Sequence, residues 1–260
     1  MPLRAGSVDP LRLYGRNQLV TKVMHAGDQV WPDTTPPPPP VGSAMLAFWD
    51  ARVYSGTGKL LNLGTGGPSF DLSVNDAIWT AGSYFDHLAG SNIGLTTVAD
   101  PITVTAAEHF YIGAVISEAS GGNAALTFGS AFGAHQIWVA LNGSADPDER
   151  TYVGQYEANG TGALSSSPTQ LASAGGNGKL LLCVGRNPDT DKVVFVTRAV
   201  DGTPLGVPNG PINPDLATGS AVFSTVWRFG FANQYFRFHG AFIHRGAMTS
   251  GDFDDLAAYF

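Results

Sequence analysis

Five consecutive prolines, residues 36–40, divide this chain of 260 residues into two parts. Proline fixes φ and carries no amide N–H, so the run can join neither a helix nor a sheet ladder. It is predicted to form a stiff polyproline II rod that rises about 3.1 Å per residue. We therefore expect a separate N-terminal element over residues 1–33, a linker over residues 34–41 and the main domain over residues 42–260.

The N-terminal element has the pattern of a small β meander. Extended runs at residues 11–14, 19–24 and 29–31 are separated by turn residues at 15–17 and 26–28. Three short strands bury too little apolar surface to be stable alone. We therefore expect this element to attach to a partner, or to symmetry mates in a particle, through four apolar side chains: Leu13, Val23, Val30 and Trp31.

Residues 42–260 have the pattern of many short strands. Apolar or alternating runs recur from residues 45–49 to residues 236–244, with hairpin signals such as Asn142-Gly143 and Asp201-Gly202 between them. Only 13% of the residues are charged, and glycine (33) and proline (17) are frequent, which favours strands joined by tight turns. The sequence therefore predicts an all-β jelly-roll β-sandwich, with the doubly apolar run at residues 110–116 in its centre.

The C-terminal residues have the pattern of one short amphipathic helix. Thr249 and Asp252 have the spacing of a capping box, and acidic residues occupy the first turn. Four apolar side chains follow at i, i+3, i+4 and i+7: Phe253, Leu256, Ala257 and Phe260. We expect this stripe to pack on the sandwich and complete its core.

The charge and the cysteine content narrow the classes of function. A formal charge of −7 provides no basic surface for nucleic acid. No stretch approaches the roughly 18 apolar residues of a membrane span, and the first residues lack the apolar core of a signal peptide. The single cysteine, Cys183, lies in an apolar run, which excludes an internal disulfide and indicates a buried thiol. We expect no nucleic-acid partner, no membrane insertion and synthesis in the cytoplasm.

The order of motifs in the main domain resembles that of the laminin G-like and concanavalin A-like families. The motifs are LAFWDA (residues 46–51), LLNLG (60–64), SYFD (83–86), ITVT (102–105) running into FYIGAV (110–115), and FHGAFIHR (238–245) with the acidic helix after it. The resemblance implies a concanavalin A-like β-sandwich with lectin-like properties.

The N-terminal stretch TKVMHAGDQVWP (residues 21–32) is similar to a motif at the head of minor tail proteins in actinobacteriophages, including mycobacteriophages. Together the two resemblances imply a phage minor tail protein located in the virion. Its partners would be other tail or virion proteins, with several copies of the chain in one particle, and the displayed sandwich would attach to the host surface or to a glycan.

Catalytic motifs are not evident in the sequence. Glycoside hydrolases place two carboxylates about 5–10 Å apart, and a related hydrolase family carries them as Glu-x-Asp-x-x-Glu. None of the four glutamates, Glu108, Glu118, Glu149 and Glu157, fits this pattern, and no Gly-x-Ser-x-Gly elbow exists. We therefore expect no catalytic residues. A free carbohydrate-binding lectin remains the first alternative to the virion protein, and a glycan hydrolase the second.

Metal ligands are equally hard to find. The six histidines have no metal-ligand spacing, and the run from Asn187 to Asp191 begins like a calcium loop but has Lys192 where glycine is required. We expect no cofactor. Because laminin G-like domains can bind calcium at the rim, the resemblance leaves a calcium ion open, with Asp50, Asp86 or Asp146 as contributors and no complete site assigned.

Exposed aromatic side chains are the usual stacking platforms for sugar rings, whereas most aromatic residues of a sandwich belong to its core. Trp79 lies in an irregular stretch, and Tyr235 follows the polar residues Asn233 and Gln234. These two residues are the predicted carbohydrate-binding residues.

Overall fold

The computed structural model describes residues 13–15, 18–20, 23–25, 28–31, 42–74, 78–87, 94–97, 101–120, 125–130, 135–142, 151–158, 161–167, 179–190, 192–199, 220–223, 226–229 and 235–260. The chain divides into two compact units, Met1–Pro37 and Pro38–Phe260.

The N-terminal unit contains two hairpins. Strand β1 (Leu13–Gly15) pairs with β2 (Gln18–Val20), and β3 (Val23–His25) pairs with β4 (Asp28–Trp31), both antiparallel. The sequence predicts one continuous strand over residues 19–24, whereas the structure assigns its two ends to separate two-stranded sheets. In each hairpin the strands are two residues apart in the chain. Such short connections favour local antiparallel pairing.

In the described part of the second unit the strands form two large antiparallel sheets and one small one. The strands are β5 (Met45–Asp50), β6 (Lys59–Leu60), β7 (Leu72–Val74), β8 (Ile78–Thr80), β9 (Tyr84–His87), β10 (Gly94–Thr97), β11 (Ile102–Val104), β12 (Phe110–Ser120), β13 (Ala125–Ser130), β14 (Gln136–Asn142), β15 (Thr151–Ala158), β16 (Thr161–Ser167), β17 (Leu180–Asn187), β18 (Lys192–Ala199), β19 (Ala221–Phe223), β20 (Val226–Phe229) and β21 (Tyr235–Arg245). Short 3-10 helices occupy Gly42–Ala44, Ala51–Val53 and Gly67–Phe70, and α1 covers Ser250–Tyr259.

The two large sheets form the predicted sandwich. The eight-stranded sheet has the order β16-β15-β14-β13-β20-β10-β7-β6. The seven-stranded sheet has the order β18-β17-β12-β21-β9-β8, with β5 also paired to β21, and β11 and β19 form the small sheet. Their facing side chains share one apolar core that includes Ile112 of one sheet and Val139 and Trp227 of the other. The prediction of an all-β sandwich is therefore confirmed.

The central strand β12 is apolar on both faces because both faces are covered. Ile112 and Ile116 point into the core between the sheets, whereas Tyr111 and Val115 belong to a second apolar cluster with α1. Cys183 lies in this second cluster and is buried. We call the side of the seven-stranded sheet that carries α1 its outer face.

Helix α1 has the predicted capping box and the predicted apolar stripe. The Thr249 side chain accepts a hydrogen bond from the amide of Asp252, and the Asp252 carboxylate accepts one from the amide of Thr249. Phe253, Leu256 and Phe260 are buried in the second cluster. No helix in the described part of the chain is long and apolar enough to cross a membrane.

The LLNLG motif fixes a loop against β5. The Asn62 side chain accepts hydrogen bonds from the amides of Phe48 (2.9 Å) and Gly64 (2.8 Å). A Cβ atom on Gly64 would lie 2.8 Å from the carbonyl oxygen of Leu46, so the backbone approaches β5 as closely as only glycine permits. This motif therefore has a structural role.

Candidate functional site: a polar patch on the outer face

One end of the outer face is polar. On β9 the side chain of Phe85 enters the core between the sheets, so Tyr84 and Asp86 occupy the opposite face. We name as the outer-face patch the side chains that meet there: Tyr84, Asp86, Ser117, Arg237 and His239. They come from three neighbouring strands, β9, β21 and β12.

A β-bulge brings His239 into the patch. Val115 pairs with Gly240 and Ile116 pairs with Phe238, which leaves His239 as the extra residue of β21. His239 Nε2 lies 2.7 Å from Ser117 Oγ, and the two residues are only 5% and 6% exposed. A buried hydrogen-bonded pair therefore forms the floor of the patch.

Arg237, Tyr84 and Asp86 form one half-buried unit above this floor. The Arg237 guanidinium lies 4.5 Å from the centre of the Tyr84 ring, and its Nε lies 3.3 Å from Asp86 Oδ1. The Tyr84 ring meets the His239 ring edge-on, with the centres 5.6 Å apart. Cation–π and ion-pair contacts thus hold the three side chains in fixed positions.

The end of α1 borders the patch. Asp50 of β5 pairs with Gly240 of β21. Its carboxylate accepts hydrogen bonds from Arg52 Nη2 (2.7 Å) and from the Tyr259 hydroxyl (3.1 Å). Arg52 Nη1 in turn donates to the Tyr259 carbonyl oxygen. A Cβ on Gly240 would lie 2.3 Å from the Phe260 ring, so only glycine lets that ring pack directly on the sheet.

Lys179 borders the patch on its other side. It directly precedes β17, whose first residue Leu180 pairs with Ile116, and this places Lys179 beside Ser117. Its Nζ donates a hydrogen bond to a backbone oxygen of Phe260.

The surroundings keep His239 neutral. Burial, followed by the nearby charges of Lys179, Arg52 and Arg237, lowers the pKa of His239 to about 3. At neutral pH the ring therefore carries one N–H donor and one acceptor nitrogen.

The Ser117–His239 pair has the spacing of a nucleophile and its base, but not the required basicity. A general base works best when its pKa lies near the operating pH, and a histidine with a pKa of about 3 is a very poor proton acceptor. Among the described carboxyl groups, Asp50 and Asp86 are paired with arginines, and hydrogen bonds to Thr105 and Arg245 lower the pKa of Glu108. A glycosidase acid needs a raised pKa, which is the opposite of the shift at Glu108.

Two of the three aspartates considered for calcium are described, and both are in ion pairs. Asp50 and Asp86 bind different arginines, and Asp146 lies outside the described residues. Within the described ranges, no three acidic, histidine or cysteine residues come together as metal ligands would.

Trp79 is half-buried at the edge strand β8. Its Nε1 donates to the carbonyl oxygen of Ala51 (3.0 Å), and its ring meets Tyr54 edge-on at 5.2 Å. It packs against the core between the sheets, so it lies on the other side of the sheet from Tyr84. Tyr235 begins β21, two residues before Arg237, and its side chain lies outside the described part of the structure.

The predicted attachment residues all lie in strands of the N-terminal unit. Leu13 pairs with Val20 in the first hairpin, Val23 pairs with Trp31 in the second, and Val30 lies in β4. Their side chains are outside the described part of the structure, and their role in attachment remains a prediction.

Sequence reasoning did not find the outer-face patch. The available signal was the alternation on β21, where Tyr235, Arg237 and His239 alternate with two buried phenylalanines. It marks a polar outer face, but it does not indicate which strands lie beside it.

Comparison with known proteins gives structural neighbours only. No family model and no curated protein matches the chain. The binding domain of botulinum neurotoxin DC, solved in complex with rat synaptotagmin II, is 12% identical with a TM-score of 0.53, over 84% of this chain and 52% of that one. A structure from a study of botulinum neurotoxin type C, whose cell entry depends on interaction with two ganglioside molecules, is 13% identical with a TM-score of 0.50, over 82% and 50%. The sialidase of Trypanosoma rangeli is 10% identical with a TM-score of 0.51, over 84% and 33%.

This chain thus spans about half the length of the neurotoxin domains that it matches. At such low identity the likeness shows the fold alone, which is a β-sandwich.

Proposed function

We propose that the β-sandwich is a non-enzymatic glycan-binding module that binds through the outer-face patch, and that it is displayed on a phage virion as a minor tail protein. The observation that carries the binding role is the buried Ser117–His239 pair beneath the fixed Arg237–Tyr84–Asp86 unit.

The patch has the groups that sugar recognition needs. Arg237 supplies donors, Asp86 supplies acceptors, and His239 supplies at the floor the ring nitrogen Nδ1, because its Nε2 is hydrogen-bonded to Ser117. The Tyr84 ring adds an aromatic surface. Because mutual contacts already hold these side chains, a ligand orders few of them on binding, which reduces the entropic cost. The ganglioside interaction of a neurotoxin with this fold supports the same ligand class.

The chemistry of the same residues supports a non-enzymatic role. The low pKa of His239 prevents it from activating Ser117, and the arginine partners of Asp50 and Asp86 hold those carboxylates in ion pairs. These features favour binding of a sugar over its cleavage.

A glycan array and calorimetry test the binding site. We expect the full chain to bind a subset of the glycans on the array. We expect Arg237→Gln to weaken that binding at least tenfold. Arg245→Gln is the matched control, because Arg245 lies on the same strand, pairs with Glu108 at 2.7 Å and is far from the patch. If the full chain binds no glycan, or if both variants lose the same amount of affinity, the proposed binding role is wrong.

The predicted sugar-binding residues enter this proposal unequally. Tyr235 begins the strand of Arg237 and His239, so we propose that it extends the patch. Trp79 is proposed as a contact for a longer glycan that reaches around the edge strand. Tyr235→Ala is expected to weaken binding more than Trp79→Ala.

The virion role rests on the N-terminal unit. Its similarity to the head of phage minor tail proteins and the five prolines that follow it suit an attachment segment on a stiff spacer. We propose that residues 1–33 hold several copies of the chain to other tail proteins. Deleting residues 1–33 should leave the sandwich folded but absent from purified particles. Normal incorporation of the truncated chain would contradict this role, and a free lectin would then be the better description.

A further inference from the structure

The charges around the outer-face patch are unevenly accessible. Among the described residues, three cations lie near His239, namely Arg52, Lys179 and Arg237, and two carboxylates lie near it, namely Asp50 and Asp86. The Asp50 side chain is 0% exposed beneath Arg52, and the Asp86 side chain is 18% exposed. The side chains of Arg52 and Arg237 are 32% and 26% exposed. In each ion pair the arginine is more exposed than its carboxylate, so a ligand that approaches the patch meets the arginines first. Lys179 is half-buried, and its Nζ donates to a backbone oxygen of Phe260.

The floor of the patch is compatible with an anion. His239 is neutral, and the three cations contribute to its lowered pKa, which indicates a positive potential at the ring. The tautomer in which Ser117 donates to Nε2 leaves Nδ1 as a hydrogen-bond donor. A carboxylate accepts several hydrogen bonds at once. The arginine and lysine side chains and the neutral N–H of His239 are donors that suit such an anion.

We infer that the outer-face patch is specific for acidic glycans and binds a sugar carboxylate between Arg237 and Lys179. This inference rests on the proposed glycan-binding function. The chain as a whole carries a charge of −7, so general electrostatic attraction does not account for such a preference.

Matched glycans test the inference with the full chain. The probes are sialyllactose and digalacturonic acid, the same two compounds with their carboxyl groups reduced to alcohols, and lactose. We expect each acidic compound to bind at least tenfold more tightly than its reduced form, and this difference to shrink when NaCl is raised from 50 to about 500 mM. Because the change is made in the ligand, the result does not depend on the folding of a variant.

A protein variant identifies the cation. Lys179→Gln should reduce affinity for the acidic probes at least fivefold, while Arg198→Gln, which removes an ion pair with Asp254 on α1, should leave it unchanged. If acidic, reduced and neutral probes bind with equal affinity, the acidic specificity is wrong and the glycan-binding function stands. If neither these probes nor any glycan on the array binds, both the acidic specificity and the proposed glycan-binding function are wrong.

Discussion

Replacing Leu256 by alanine measures how strongly α1 is built into the sandwich. Leu256 is 0% exposed and lies in the second apolar cluster with Phe48, Leu181 and Phe242. The substitution loses roughly 2.4 kcal/mol of transfer free energy for three carbon atoms, at about 0.8 kcal/mol each. The remaining cavity raises the cost of Leu→Ala to about 2–5 kcal/mol.

The surroundings favour the upper half of this range. The cluster rests on the seven-stranded sheet, the helix begins at a capping box, and its last turn is tied to Asp50 through Tyr259. Such fixed neighbours collapse little into a cavity, so we expect a loss of about 3–5 kcal/mol. At about 2–4 °C per kcal/mol for a domain of this size, the Tm should fall by about 6–20 °C.

Scanning calorimetry and urea unfolding of the full chain check this expectation. The control is Asp255→Ala, one residue away on the exposed face of the same helix, for which we expect a change within about 0.5 kcal/mol. Equal and small effects from both substitutions would show that α1 does not pack on the sheet as described.

Three further outcomes follow from individual residues. Histidine takes up a proton near pH 6.5 in the unfolded state, whereas His239 in the folded state does so only near pH 3. The free energy of unfolding should therefore keep its full value above pH 6.5 and decrease as the pH falls towards 3. In urea unfolding, the free energy of unfolding should change by up to about 1.4 kcal/mol per pH unit in this range, and His239→Gln should reduce this pH dependence. Asn62→Ala leaves the amides of Phe48 and Gly64 without their acceptor and should cost about 2 kcal/mol in chemical denaturation. Asn187→Ala, which removes only an exposed hydrogen bond from the amide of Asp189 at the end of β17, should cost little. The purified chain should release no reducing ends from cell-wall polysaccharide; turnover that disappears in one carboxylate variant would contradict the non-enzymatic role.

Local signals in the sequence were sufficient for much of the fold. The alternation of the strands and the helix with its Thr249–Asp252 box each depend on residues a few positions apart. Interactions of this range act whatever the rest of the chain does, so propensity and periodicity predict them. The split of the meander into two hairpins was missed, because alternation does not show where one strand ends and the next begins.

The outer-face patch depends instead on contacts between distant parts of the chain. Ser117 and His239 are 122 positions apart, and Asp86 and Arg237 are 151 positions apart. Strand order and register bring them together, and a bulge that shifts β21 by one residue against β12 places His239. The role of Trp79 was likewise set by tertiary neighbours, Ala51 and Tyr54.

The sequence by itself determined the all-β class and the C-terminal helix. Only the tertiary structure decided which polar side chains share a surface and which histidine is kept neutral. The physical reason is that hydrogen-bonded pairing between remote strands, and the burial that lowers a pKa, are properties of the assembled sheets.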